Sequence, residues 1–261
     1  MAFPSPKTLI GMIHLPPLPD YPDSPGIERI IEQAVADLRT LETAGFDGVL
    51  IENEYDRPHK VMASTATIDA MTLVTKTIVE ESSATIVGCE ILLNDPRSSL
   101  DVAKNSGASF IRTDYFVDLM SRPDYGTFEI DPDALLRYRE SIDGDDILIL
   151  ADIQVKYATM IRERPLIESA IAACEKQADA VVVTGDASGD APTVGLLRNA
   201  AQGTADYDIP LLIGSGLTAS NALKLLAECD GAIVGTALMT DRIVDVDAAN
   251  EIVSLSRNST K

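Results

Sequence analysis

The strongest constraint on how this chain folds is a repeated rhythm of strand and helix signals. Short, nearly continuous apolar runs begin at Thr8 (TLIGMIH), Asp47 (DGVLIEN), Thr85 (TIVGCEIL) and Ala108 (ASFIRTD). Four more begin at Ile147 (ILILADI), Asp179 (DAVVVTG), Ile209 (IPLLIGSG) and Asp230 (DGAIVGTAL). Their β-branched composition suits parallel strands covered on both faces. Between them lie helical patterns. GIERIIEQAVADLRTLETAG carries apolar residues at helical spacing and ends near Gly45, while DPDALLRYRES and TASNALKLLAE open on capping residues. Eight strand–helix units in 261 residues predict an α/β fold, a single (β/α)8 barrel domain spanning residues 1–261. A doubly wound open sheet is the alternative. Its glycine-rich turn is missing after the first run, where the long, proline-rich MIHLPPLPDYPDSPG stands instead.

Composition narrows the partners. Hydrophobic residues make up 46%, enough for a sizeable core. The formal net charge is −20, from 41 acidic and 21 basic residues, which repels nucleic-acid phosphates and anionic membranes. Neither nucleic acid nor membrane is expected as a partner, and the acidity reads as a solvated surface of the kind suited to a high-salt, halophilic cytoplasm. The absence of Trp argues against a carbohydrate-stacking or single-strand-binding platform. Cys89, Cys174 and Cys229 are widely spaced in apolar surroundings and read as small buried hydrophobes. The start MAFPSPKTLIGMIH lacks a signal-peptide pattern, and no apolar run reaches membrane-spanning length. A soluble cytoplasmic protein is expected, with a homo-oligomer a further expectation for a barrel.

In a barrel, chemistry gathers where strands end and βα loops begin. Gly214-Ser215-Gly216 lets backbone approach a ligand, and Thr218-Ala219-Ser220 reads as a helix start with unpaired amides. Gly235 and Thr236 offer a second small-residue loop. Together these five residues, Gly214, Ser215, Gly216, Gly235 and Thr236, predict a phosphate site, the alternative being tight turns with no ligand. Glu52, Glu90, Asp152 and Asp186 end apolar runs and are the candidate catalytic carboxylates. His14, Asn53, Asn94, Arg112, Lys156 and Thr184 are the candidate substrate-binding residues, and Asp114 falls among the same strand ends. The alternative for the charged members is ion pairing around the mouth.

Glu52, Asp152 and Asp186 also carry oxygen ligands of the kind a divalent metal takes, so metal dependence stays open. No HxH or HExxH spacing accompanies the two histidines, His14 and His59, and no metal ligand is assigned. No G-x-S-x-G elbow is present, and GDASGDAP lacks the setting of a dinucleotide loop. No organic cofactor is expected. Inorganic phosphate is expected as a co-substrate.

The ordered segments IGMIHLPPLP, GFDGVLIENEYDRP, ILLND, GASFIRTD, ADIQVKYA, ADAVVVTGDASGDAP, IPLLIGSGLTASN and DGAIVGT resemble the BtpA/SgcQ family over nearly the whole chain. The resemblance implies a (β/α)8 barrel with a phosphate-type site at its last strands. The family is named after a photosystem I assembly protein, and other members look like enzymes of sugar or nucleoside use. Two departures fall at the expected mouth. Glu90-Ile91-Leu92-Leu93-Asn94-Asp95 stands where relatives commonly show Asn-Val-Leu-Arg-Asn-Asp, and Tyr157 stands where a histidine commonly follows the lysine.

The expected function is an enzyme acting on a ribosyl substrate, in its sharpest form a nucleoside phosphorylase with a purine as one candidate base. The glycine loops hold phosphate with Arg112 or Lys156. Glu52, Glu90 or Asp152 bind ribose hydroxyls and stabilise positive charge, and Asp186 protonates the leaving base. A phosphosugar isomerase, epimerase or aldolase is the second reading, in which Lys156 gains importance. A non-catalytic assembly or regulatory protein is the third.

Overall fold

The computed structural model describes residues 7–83, 85–185 and 190–258. Eight parallel strands close into a barrel: β1 (Thr8–His14), β2 (Gly48–Glu52), β3 (Ile86–Glu90), β4 (Phe110–Thr113), β5 (Leu148–Ile153), β6 (Ala180–Val183), β7 (Leu211–Ile213) and β8 (Gly231–Val234). Each strand pairs with its neighbours in sequence order, and β8 returns to β1 through Thr8↔Gly231 to Gly11↔Val234. The expected barrel is the observed one, and all eight apolar runs supply a strand.

Helices follow the strands: α1 (Ile27–Ala44), α2 (Thr65–Glu81), α3 (Pro96–Ser106) and α4 (Pro132–Ser141). They continue with α5 (Leu166–Glu175), α6 (Val194–Thr204), α7 (Ala222–Leu226) and α8 (Val246–Asn258). Their starts are chemically marked. Ser64, Asp95, Asp131 and Thr193 each accept a backbone N–H of the first turn, and Pro96 and Pro132 sit where a missing N–H costs nothing. α1 ends at Gly45, whose φ of 93° is a left-handed stop. α7 corrects an expectation. The α-helix itself begins at Ala222, not at Thr218; before it the Asn221 side chain accepts the Thr218 N–H at 2.8 Å and donates to the Gly216 carbonyl. The Thr218 amide is therefore already bonded.

Side chains alternate along each strand, and that alternation sorts the core. One set packs outward against the helices, including Leu9, Ile13, Val49, Ile51, Ile111 and Ile149. The other fills the barrel: Ile10, Met12, Leu50, Phe110, Leu148, Leu150, Val182, Leu212 and Ile233. Gly88 has no side chain because the Phe110 ring occupies that space. At the lower rim, Asp47, Asp179 and Asp230 each accept a neighbouring strand's N–H, from Leu9, Ile149 and Leu211 at 2.8–2.9 Å. These aspartates open three of the apolar runs and fasten adjacent strands together.

Two accessory segments rise above the mouth. A three-stranded sheet joins Met120–Arg122, Gly126–Phe128 and Thr159–Met160, from the loops after β4 and β5. A hairpin of Met239–Thr240 and Ile243–Val244 follows β8. The three cysteines are free and buried, and no described helix is long and apolar enough to cross a membrane.

Candidate active site

Continuing the inward parity of the barrel core by one step predicts what lies at its top. After Ile10 and Met12 comes His14; after Leu50, Glu52; after Phe110, Arg112; after Leu148 and Leu150, Asp152. The same step reaches Glu90, Thr184, Gly214 and Gly235. Register aligns three of them, since His14 is the partner of Glu52 and Glu52 of Glu90. A strand period of two therefore delivers an acid–base layer onto an apolar floor. Above it opens a cavity of about 660 Å³.

Arg112 anchors this layer. Its Nε donates to Asp152 Oδ2 at 2.7 Å and its Nη2 to Asp152 Oδ1 at 2.9 Å. Glu90 Oε2 stands 3.8 Å from the same Nε and has no hydrogen-bond partner. Burial raises the Glu90 carboxyl well above its ordinary range despite Arg112, with Asp114 and Glu52 adding to the rise. Asp114, one inward step above Arg112, is pushed up to about 7 by burial first and by Asp152 next. Both wall carboxyls therefore release their protons less readily than a free carboxyl.

His14 Nε2 lies 3.5 Å from Glu52 Oε2. Burial lowers its pKa to about 4, with Lys156, Arg112 and Arg57 opposing protonation. The ring is neutral at pH 7, so its contact with Glu52 is not an ion pair. Above them Glu54 is raised by burial and then by Glu52. His59, pushed down to about 4 by burial and Arg57, is also neutral. Its Nε2 lies 3.2 Å from the Asn53 carbonyl and its Nδ1 3.0 Å from Arg57 Nη1, so Nε2 donates and Nδ1 accepts.

The glycines have a reason beyond ligand approach. A Cβ at Gly214 would stand 2.5 Å from Val182 Cγ1, 2.8 Å from Thr184 Cγ2 and 3.0 Å from Arg112 Nη2. Gly216 has φ +74°, and a side chain there would enter the Asp190 and Ala191 backbone. Ser215 Oγ donates to the Asp190 carbonyl. Gly235 faces Met12 and His14. Gly214, Ser215, Gly216, Gly235 and Thr236 all edge the cavity.

Of the residues singled out in the sequence, His14, Glu52, Glu90, Arg112 and Lys156 also line it. Others are placed differently. Asp152 is fully buried beneath Arg112 and acts through it. Asn53 is a structural pin: it donates to Asp56 and the Leu92 carbonyl and accepts the Leu92 N–H at 2.8 Å. Asn94 is absent from the wall, and its buried Oδ1 has no partner. Thr184 packs behind Gly214. Asp186 lies outside the described residues. Among the described residues no three His, Cys, Asp or Glu side chains cluster as metal ligands. The metal set of Glu52, Asp152 and Asp186 has one buried member bonded to Arg112 and one member outside the description.

Loops supply what strand-end reasoning passed over: Glu54, Tyr55, Arg57 and His59 after β2, Arg122 on the accessory sheet, and Arg242 on the hairpin. The dense polar stretch ENEYDRPHK was the one signal for the first group.

A model of the BtpA family matches residues 5–258. Among relatives, an uncharacterised protein of Archaeoglobus fulgidus is 32% identical over 96% of this chain and 99% of its own. The photosystem I biogenesis protein BtpA of Synechocystis is 34% identical over 88% of this chain and 79% of its own. Among solved structures, the thiamine phosphate pyrophosphorylase of Pyrococcus furiosus superposes with TM-score 0.62 at 16% identity, covering 98% of both chains. The N-(5′-phosphoribosyl)anthranilate isomerase of the same organism gives 0.58 at 13%, covering 97% of this chain and 99% of its own. At these identities the two structures speak for the barrel.

Proposed function

The chain belongs to the BtpA family, and from that membership and the chemistry of its cavity we propose that it is an enzyme transferring a pentosyl group from a nucleoside to phosphate. The observation that carries the reading is the packing of the Arg112 guanidinium beside Gly214, with the protonatable carboxyls of Glu90 and Asp114 next to it. The same part of the cavity thus offers a cation for an anion and a carboxyl for a leaving group that needs a proton.

Phosphate rests against the loops of Gly214–Gly216 and Gly235–Thr236, near Arg112 and Lys156. Its oxygen forms a bond to C1′ as the C1′–N bond breaks, and the bond's electron pair leaves on the base. Asp114, kept partly protonated at neutral pH, gives that nitrogen its proton and is reprotonated from the phosphate. The same role is the one expected of Asp186, which lies outside the described residues. Glu52, oriented by His14, stabilises the oxocarbenium-like sugar, and Glu90 bonds a ribose hydroxyl with its unpartnered oxygen. Asp152 keeps Arg112 in place.

The test is base release from purine and pyrimidine nucleosides, with and without phosphate. Release that requires phosphate, with equimolar ribose 1-phosphate, is expected. Release without phosphate would sink phosphorolysis. Conversion of a pentose phosphate with no base involved would move the site to isomerase or aldolase chemistry.

A further inference from the structure

Among the described residues, two of the mouth arginines lack the carboxylate partner that several surface arginines take. With 41 acidic residues against 21 basic ones, an exposed arginine has carboxylates close at hand. Arg29, Arg39 and Arg198 take Glu32, Glu81 and Glu228. Arg122 and Arg242 both line the cavity, and neither forms an ion pair with a described residue. Each rests on tyrosine instead. The Arg242 guanidinium carbon lies 4.4 Å from the Tyr55 centroid, and that of Arg122 lies 5.1 and 5.4 Å from Tyr125 and Tyr157. Stacking holds a guanidinium by its face and leaves in-plane N–H groups to reach a ligand, and Arg122 also lies beside the Tyr115 hydroxyl.

Both arginines are held in place from outside the barrel. The hairpin bearing Arg242 turns through two successive non-glycine residues in the left-handed region, Asp241 at φ 51° and Arg242 at φ 67°. Asp37 on α1 accepts the Val244 N–H at 3.0 Å, and Gln33 donates to the Arg242 carbonyl at 3.1 Å. Arg122 ends the strand Met120–Arg122, two residues after buried Asp118. Asp118 accepts from Arg164, Ser169 and the Gln154 amide.

Arg57 lies between them along the loop after β2, with Nη1 on His59 and Nη2 on Glu54. Tyr55 feels the charges of both Arg242 and Arg57, and His59 those of both Arg57 and Arg122. An arc of guanidinium groups therefore runs along the mouth of a protein of net charge −20.

We propose that Arg57, Arg122 and Arg242 form an outer phosphoryl-binding subsite, separate from the glycine-edged wall below it. The proposal rests on the reading that a phosphate-handling ligand enters this cavity, and it concerns where a phosphoryl group first docks. The group is either free phosphate or the phosphate ester of a pentosyl substrate.

Titration calorimetry with inorganic phosphate, ribose 5-phosphate and ribose tests it without turnover. For wild type, ribose 5-phosphate is expected to bind at least about tenfold more tightly than ribose, as charge-assisted contacts allow. Arg122→Ala and Arg242→Ala should each remove most of that difference and leave ribose unchanged, and Arg242→Lys should keep part of it. If inorganic phosphate weakens in the same variants, free phosphate is the occupant; if only the ester weakens, the phosphate belongs to the substrate. Wild-type affinity for both phosphate probes in both alanine variants overturns the subsite. So does failure of both probes to bind wild type. An equal loss in Arg29→Ala, remote and already paired, would reduce the effect to bulk charge and also overturn it. Absence of base release from nucleosides leaves this titration unaffected, so the two readings fail separately.

Discussion

Arg112 and Asp152 face each other from adjacent strands through two parallel hydrogen bonds of 2.7 and 2.9 Å, and both are buried. A bidentate pair in this position holds the guanidinium in one plane and compensates its charge. Removing the aspartate leaves Glu90, 3.8 Å away, and Asp114, both of which burial disfavours as anions. Asp152→Ala is expected to cost about 3–5 kcal/mol, the usual penalty for stranding a buried charge. Urea unfolding measures it, and a loss under about 1 kcal/mol would mean that Glu90 ionises to take over.

Asp114 carries a pH signature. Its folded pKa of about 7 stands above the ordinary 3.8, so the folded protein keeps a proton that the unfolded chain has lost. The stability it contributes is complete below about pH 4 and is lost as pH rises through about 7. Relative to wild type, Asp114→Asn should gain in Tm steadily across that window, with the smallest gap at the acid end. Its turnover should fall by roughly 10²–10⁴, the range for a lost general acid. A pH-independent gap would remove Asp114 as the titrating group.

Gly214 and Gly216 should respond differently to alanine. At Gly214 the new methyl meets side chains only, Val182 Cγ1, Thr184 Cγ2 and Arg112 Nη2 at 2.5–3.0 Å, which must move to admit it. At Gly216 it meets the Asp190 backbone from a left-handed φ of +74°. Gly216→Ala is expected to be the more destabilising, beyond the roughly 1–3 kcal/mol of ordinary overpacking. Gly214→Ala should weaken phosphate binding before it weakens the fold. Thermal melts and phosphate titration of both variants check the order, and the reverse order would contradict the packing described.

Asp37 tests how the hairpin is held. Its Oδ1 accepts the Val244 N–H, Oδ2 has no partner, and burial raises the pKa to about 6 against the opposing pull of Val244 and Gln33. Asp37→Asn keeps the acceptor and sheds a poorly solvated charge, so its stability should match or exceed wild type at pH 7. Asp37→Ala strands the Val244 N–H, at a cost of about 1–3 kcal/mol, and should speed its hydrogen exchange. Equal exchange in both variants would remove Asp37 as the pin.

Much of this architecture is legible in the residues, and the physical reason is periodicity. The run TLIGMIH is β1 residue for residue, and its alternation already points His14 inward with Ile10 and Met12. The same step of two finds Glu90, Arg112 and Asp114. What the step of two misses is reach. Asp152 obeys the parity yet disappears beneath Arg112, because a long side chain on one strand covers a short one on the next. Asn53 falls just past β2, where its amide was needed to tie down Leu92. Arg242 carries no signal in MTDRIV, since its position depends on a hairpin register and on Asp37, about two hundred residues earlier. Thr218 does open a turn, but the pattern cannot show that Asn221 takes its amide or that the α-helix itself starts four residues later, at Ala222.

The aspartates beneath the barrel have a consequence for its history. Asp47, Asp179 and Asp230 tie neighbouring strands at the end opposite to the chemistry. Closure there draws nothing from His14, Arg112 or the hairpin. The mouth can therefore be rewritten residue by residue, with a new acid at 90 or a new arginine at the tip of the hairpin, while the foundation stays as it was. Such a barrel separates the inheritance of its frame from that of its substrate.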